Sequence, residues 1–501
     1  MRKLAERLGV SEKTANDWLK LKDDEEDRRL RPDNKDRILK LALDLDIEPE
    51  RFAFGPALWD CKASWEENLS LSLPAHPRSL RPFVDHAIEF LGHRISSPIG
   101  VWGSSFTANA ARVKFFALSG ADVLTYKAVG SQSVRAIWPP NVYAVSQDQP
   151  ALSSPLRGVP EIEVIATAEP HGTNNGVVAS FGYPSTGPEY WQADFRVAQQ
   201  SLRPGQLLIL SVRGTCCPKV QARERLHDWA NVCELAAEAG ARIIELDLAK
   251  AIEELADVAG KVGLAVSICK IARKAAPDAK ILVNFGYAEG ELLSALACQT
   301  AGQRLCDGFT ISTIPVRLYH EAPYGREILF NGETRCLTGP VIVGLQLQCV
   351  AALKRVRERE NLPRFAIVAA GSISTEQEFT AALYNGADVV QVASACYFDS
   401  YVPFKLRKYY DSQARESCKA MEGERDVALI NFTKAVRRIE LDLDSKLTLQ
   451  GRERLLAIAQ EEMLQWLRRV DTVSSLGPMR PKSAPTVEDC VATIQVRFIQ
   501  R

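Results

Sequence analysis

At 501 residues the chain exceeds one ordinary domain, and a barrel of roughly 250 to 300 residues with added terminal modules divides it naturally. Lysine plus arginine and aspartate plus glutamate both number 62, so no net charge draws the whole molecule to nucleic acid or an anionic membrane, and any such contact must be local. The twelve cysteines are scattered; only Cys216 and Cys217 adjoin, with no second pair or histidine cluster at zinc spacing, which argues against a disulfide framework and a metal site. The opening MRKLAERLGV lacks the apolar stretch of a signal peptide, and no run reaches the length of a membrane span. A soluble, cytoplasmic protein is expected.

Residues 1–60 read as helical. The segment MRKLAERLGVSEKTANDWLK resembles a helix-turn-helix, with Ala5 at the helix crossing, Gly9 at the turn, Ser11 as N-cap and Ala15 buried. Lys13, Thr14 and Asn16 would then face a DNA major groove. The acidic run DDEED at 23–27 opposes that reading by repelling phosphate, and a helical docking or dimerisation module is the alternative. Residues 61–95 are expected to be a linker and barrel lead-in.

From residue 98 short apolar runs alternate with longer amphipathic segments. Eight such runs occur: PIGVWG (98), DVLTY (122), LLILSV (207), RIIELDL (242), KILVNF (280), DGFTIS (307), FAIVAA (365) and DVVQVA (388). Near-continuous apolar strands separated by helical patterns predict a parallel sheet buried on both faces. Three joints repeat: Ser119-Gly-Ala-Asp-Val123, Ala239-Gly-Ala-Arg-Ile243 and Asn385-Gly-Ala-Asp-Val389. Each sets a glycine between helix and strand, where a left-handed cap is needed. Eight βα units without a GxGxxG predict an α/β fold, a (β/α)8 TIM barrel spanning 96–410, over an open doubly wound sheet.

Two insertions interrupt the alternation. The one between the second and third strands is rich in Pro, Gly, Ser and Asn; the other, about 313 to 340, carries Arg326, Arg335 and Thr338-Gly339-Pro340. Both are expected on the mouth where strands end, the catalytic face of such barrels. Residues 411–501 read as helical through INFTKAVRRIELDL and RERLLAIAQEEMLQWLRRV. The terminal helices are expected to pack on the barrel or a partner subunit, and a homo-oligomer is the expectation.

Ala369-Ala-Gly-Ser-Ile373 and Gln391-Val-Ala-Ser-Ala395 place small residues at the ends of the last two strands, where backbone amides of such barrels hold phosphate. Here the chain resembles the dihydroorotate dehydrogenase family. AGSIST is similar to that family's G-(x)-G-G-I-x-T and NGADVVQVASA to its G-A-x-x-V-Q-x-G-T-A, with CLTGP upstream. SPIGVWGSSF is similar to its N-P-x-x-x-A-(A/S)-G, and Ser180-Phe-Gly-Tyr-Pro-Ser185 to its N-x-x-G-x-x-N. The resemblance implies FMN as cofactor, with contacts from Gly103, Ser104, Lys127, Asp247, Asn284, Ser312, Gly339, Gly371, Ser372, Ala393 and Ser394, and an oxidoreductase acting on a pyrimidine-like or other small cyclic molecule.

The departures fall at the catalytic positions. The family's fourth strand ends E-L-N-x-S-(C/x)-P-N, but this chain reads Glu245-Leu-Asp-Leu-Ala-Lys-Ala-Ile252, placing Asp247 for the asparagine and Lys250 where a cysteine base stands. Asn284 replaces a lysine expected near the flavin ring, and Ala179 an asparagine. Lys250 is the candidate catalytic residue, as proton donor, nucleophile or anion contact; an ion pair with Asp247 is the plainer alternative. A catalytically degenerate barrel that senses a metabolite and is fused to a DNA-binding module is the other functional expectation.

Overall fold

The structure is a computed structural model that describes residues 3, 5, 13, 15, 56–74, 76–77, 82–145, 159–164, 166–167, 176–214, 220–322 and 325–414. Eight parallel strands close into a barrel in chain order: β1 Ile99–Val101, β2 Val123–Val129, β3 Leu207–Val212, β4 Ile243–Asp247, β5 Lys280–Gly286, β6 Gly308–Ile311, β7 Ala366–Gly371 and β8 Val389–Val392. The eight apolar runs are these eight strands. β3, β4, β7 and β8 are buried at every residue, because helices cover the outside while side chains fill the inside.

Seven helices follow the first seven strands: α1 Ala110–Leu118, α2 Pro188–Gln200, α3 Ala222–Glu238, α4 Val258–Ala275, α5 Gly290–Gln299, α6 Val343–Arg359 and α7 Glu376–Asn385. A helix beginning at residue 402 follows β8. Their starts are written in the sequence. Asn109 caps α1 by accepting from the Arg112 amide, Asp257 caps α4 through the Gly260 amide, and Thr375 with Glu378 forms a capping box on α7. The repeated joints end three of them, with Gly120, Gly240 and Gly386 at φ of 96°, 86° and 111°. Only glycine takes that left-handed turn without strain.

An antiparallel hairpin, Ile88–Phe90 with His93–Ile95, sits inside the stretch expected to be linker. Its Phe90 and Ile95 join Leu207, Ile243, Leu282, Val368 and Val389 in one buried cluster. The hairpin thus supplies core to the barrel. Pairs of three-residue strands give too short an alternation to be read from sequence.

The two insertions meet in a second sheet. Val142–Val145, Gly176–Ala179, Arg335–Thr338 and Ile314–Ala322 pair antiparallel in that order, extended by Ala166–Thr167, Glu161–Glu163 and Gly325–Ile328. Val145, Val178, Ile314, Val316, Leu318 and Leu337 form its own apolar core. Segments some 150 residues apart in sequence thereby become one structure over the mouth.

The lead-in is anchored by charge. Arg112 of α1 is 1% exposed and donates to the carbonyls of Leu58 and Asn68, which pins the helix Trp65–Ser70 to the barrel. Burial lowers the Arg112 pKa to about 10. Residues Met1–Arg407 form one compact unit and Lys408–Arg501 another.

Of the N-terminal segment, Lys3, Ala5, Lys13 and Ala15 are helical, with both alanines buried and both lysines exposed. The remaining helix-turn-helix positions, including Thr14 and Asn16, lie outside the described residues, as do the C-terminal helical segments beyond 414.

Candidate functional site

Inward-facing side chains alternate along each barrel strand, so the last inward residues of adjacent strands converge at the C-terminal mouth. There they line a cavity of about 690 Å³, roofed by the Ala179–Ser185 stretch and the second sheet. Lys127 comes from β2, Ser211 and Arg213 from β3 and its end, Asp247 from β4 and Asn284 from β5. No group of three or more metal-ligating side chains occurs among the described residues. None of the described helices is long and apolar enough to cross a membrane.

A buried charge cluster forms the cavity wall. Lys127 donates from Nζ to the Pro184 carbonyl at 2.7 Å and lies 5.2 Å from the centre of the Trp65 ring. Burial pulls its pKa down to about 7, with Asp247 opposing the fall and Arg213 reinforcing it. The carboxylate of Asp247 lies 4.0 Å from the Arg213 guanidinium, and burial raises its pKa against Arg213, the Ala249 amide and Lys127. Arg213 in turn stacks 3.5 Å from the centre of the Tyr183 ring. Tyr183 has φ of 57°, an unusual conformation for an aromatic residue, which turns it over the site.

Asn284 links this cluster to the next strand. Its Nδ2 donates to Asp247 Oδ1 at 3.4 Å, while its Oδ1 accepts from Ser312 Oγ at 2.8 Å and the Gly286 amide at 3.0 Å. Two residues before Asp247 on β4, Glu245 is buried inside the barrel and accepts from Thr310 at 2.7 Å and Ser211 at 3.0 Å. Burial pushes its pKa up to about 7, so it shares a proton with the medium near neutrality. Glu245, Arg213 and Tyr183 were absent from the sequence-derived set. The signal was available for two of them, since period-two alternation from Asp247 puts Glu245 inward, and alternation from Ser211 does the same for Arg213.

Lys250 lies on the short helix Ala249–Glu253 and borders the cavity. The ion pair with Asp247 does not form. Lys250 Nζ donates to Thr334 Oγ1 at 2.9 Å and pairs with Glu253 Oε1 at 3.5 Å, while Asp247 faces Arg213. The helical turn starting at Ala249 separates the two side chains, and Thr334 from the second insertion supplies a partner that sequence spacing could not indicate.

The candidate positions fall into two groups. Gly103, Ser104, Lys127, Asp247, Lys250 and Asn284 line the cavity, and Ser312 stands behind Asn284. Gly339, Gly371, Ser372, Ala393 and Ser394 do not line it. They meet instead at the ends of β7 and β8, where Ser394 Oγ donates to the Gly371 carbonyl at 2.8 Å and the Gly339 amide donates to Ser372 Oγ at 3.3 Å. Gly371 has φ of 95°, and a Cβ there would approach Thr338 Oγ1 within 2.6 Å, so this strand end requires glycine.

That second group fits the phosphate end of FMN in kind. It offers small residues, a tight glycine turn and the opening amides of the turn Ser394–Tyr397, which has no side-chain cap. Both serine hydroxyls are already engaged within the protein, which leaves backbone amides as the donors.

This chain is similar to a dihydroorotate dehydrogenase. It is 24% identical over 383 residues to the dihydroorotate dehydrogenase of Dictyostelium discoideum, an alignment covering 70% of this chain and 96% of that protein. No protein-family model matches the sequence. The alignment and the closed eight-stranded barrel agree on the scaffold.

Proposed function

We propose that this chain is an FMN-dependent oxidoreductase similar to dihydroorotate dehydrogenase, acting on a CH–CH bond of a small cyclic, pyrimidine-like molecule. The observation that carries the reading is the cavity of about 690 Å³ at the strand ends, walled by Lys127, Asp247 and Asn284, in a barrel aligned over nearly the full length of the Dictyostelium enzyme. Gly339, Gly371, Ser372, Ala393 and Ser394 would hold the phosphate, and Gly103, Ser104, Lys127, Asn284 and Ser312 the ring side. Bound FMN supplies the hydride acceptor.

The chain's own groups set what the rest of the site does. Lys127, with its pKa near 7, can give or take a proton at neutral pH, and Asn284 presents an amide to the cavity. Lys250 stands where the resemblance places a base, but its Nζ is held by Thr334 and Glu253 and serves as a donor. Removal of a carbon-bound proton therefore lacks its usual partner, and turnover of dihydroorotate itself is expected to be slow.

The visible spectrum of the purified protein, before and after incubation with FMN, tests the reading. Flavin bands that survive gel filtration are expected, with no rapid bleaching on anaerobic mixing with dihydroorotate. Colourless protein that FMN cannot reconstitute removes the flavin assignment, whereas prompt bleaching at neutral pH means that a base other than the residue at 250 is in place.

A further inference from the structure

With Lys250 held by Thr334 and Glu253, removal of a carbon-bound proton needs another acceptor, and one cavity hydroxyl leads to a carboxyl beneath it. Ser211 of β3 lines the cavity, while Glu245 of β4 is buried within the barrel and does not. The two are register partners on adjacent strands, and Ser211 Oγ donates to Glu245 Oε1 at 3.0 Å. Thr310 of β6 donates to the other oxygen, Oε2, at 2.7 Å, which keeps Oε1 turned to the serine. A hydroxyl has one proton to donate. With that proton committed to Glu245, Ser211 meets the cavity with oxygen lone pairs, which is what a proton acceptor requires.

The ionisable groups of the cavity wall are engaged differently. Asp247 faces Arg213, and Lys127 Nζ donates to the carbonyls of Pro184 and Ala128. Around Glu245, the side chains of Ser211, Thr310 and Trp102 are neutral, and the carboxylate of Asp247, two residues along β4, disfavours a second negative charge.

We propose that Ser211 and Glu245 form a proton relay, in which Ser211 Oγ takes the carbon-bound proton of the cavity's substrate while passing its own hydroxyl proton to Glu245 Oε1. This rests on the oxidoreductase reading above. The carboxylate becomes a carboxylic acid and the serine ends as a hydroxyl. The electron pair of the broken C–H bond becomes the new carbon–carbon π bond as hydride leaves the neighbouring carbon for the flavin. Ser211 is the catalytic residue of the pair, and Glu245 acts through it.

The experiment follows anaerobic bleaching of the FMN-loaded full chain by dihydroorotate across pH. Reduction of the wild type is expected to be slow, because Ala179 stands where the resemblance places an asparagine. Its rate is expected to rise with pH through about 7 and then level off, since only the ionised Glu245 accepts a proton. Ser211→Ala and Glu245→Gln are each expected to slow it about a hundredfold and abolish the rise, and Ser211→Thr, which retains the hydroxyl, to restore both. A second readout needs no turnover and no flavin. The infrared carboxyl stretch of protonated Glu245, assigned by its absence from Glu245→Gln, is expected to fade as pH rises through about 7 and to shift in Ser211→Ala.

A rise with pH that survives in Ser211→Ala assigns the base to Lys127 and overturns the proposal. A carboxyl stretch indifferent to that substitution, or a wild type that dihydroorotate does not reduce at all, overturns it as well. If Ser211→Ala fails to fold, Glu245→Gln, which keeps the shape of the side chain, decides the same question. Failure of the chain to bind FMN instead removes the flavin reading, and the proposal with it.

Discussion

The two halves of the barrel mouth differ in how their polar groups are satisfied. Around the ends of β2 to β5, Lys127, Arg213 and Asp247 compensate one another in a buried charge cluster, while the Glu245 carboxyl is held by Thr310 and Ser211. Around the ends of β7 and β8 the residues are small and neutral, and the Gly339 amide donates to Ser372 Oγ while Ser394 Oγ donates to the Gly371 carbonyl. The first arrangement depends on mutual compensation: remove one charge and its neighbours are left exposed to a low-dielectric surrounding. The second depends on backbone shape and tolerates little added volume. Ligand-dependent charge can therefore change on the β2–β5 side, while the β7–β8 side preserves a geometry.

The sharpest way to break this contrast is Asp247→Asn. The substitution keeps the size of the side chain and removes the carboxylate facing both Arg213 and Lys127. Arg213 then loses its buried counter-charge, and a loss of about 3 kcal/mol is expected from urea denaturation at pH 7. Lys127 also loses the charge that holds its pKa up, so its amine becomes neutral at still lower pH. A loss under about 1 kcal/mol means that water already screens the cluster.

Glu245 offers a second test through pH. Its carboxyl sits at about 7 in the folded protein against 4.5 for the unperturbed group, because burial disfavours the charged form. A folded-state pKa above the unfolded one contributes stability that is complete below about 4.5 and is lost as pH rises through about 7. Between those limits the wild type is expected to lose about 3 kcal/mol relative to Glu245→Gln, as followed by denaturation at a series of pH values. Lys127 titrates with the opposite sign and in the window above about 7, where its depressed pKa makes stability rise with pH. Parallel pH profiles for wild type and Glu245→Gln would place the ionised carboxylate in the native state throughout.

The barrel was legible because its signal is local and repeated. Eight apolar runs and three Gly-Ala joints state the βα unit, and the structure places strands and left-handed caps there. The hairpin at Ile88–Ile95 and the second sheet were not legible, since their strands are short and their partners distant in sequence. The site was legible in part. Sequence pattern led to Lys127, Asp247 and Asn284, which the structure gathers in one cavity, but it attended to motif positions and passed over Glu245 and Arg213 on the same inward faces. Pattern similarity also grouped the β7–β8 residues with the rest, although in three dimensions Gly339, Gly371, Ser372, Ala393 and Ser394 do not line the cavity.

Lys250 carries the smallest expected effect and bears on which half of the contrast it belongs to. It borders the cavity, yet its side chain is 28% exposed and its partner Glu253 19%, and the pair lies at 3.5 Å on one short helix. Partly exposed pairs at such spacing contribute little, so Lys250→Ala is expected to cost less than about 1 kcal/mol of stability. Because Thr334 and Glu253 already engage its Nζ, the variant should bind FMN within about twofold of the wild type in a flavin fluorescence titration. A loss of about tenfold or more would instead move Lys250 into the group of cavity charges that meet the ligand. The β2–β5 cluster would then extend onto the helix Ala249–Glu253, and the lysine found at the family's base position would be acting on the bound molecule.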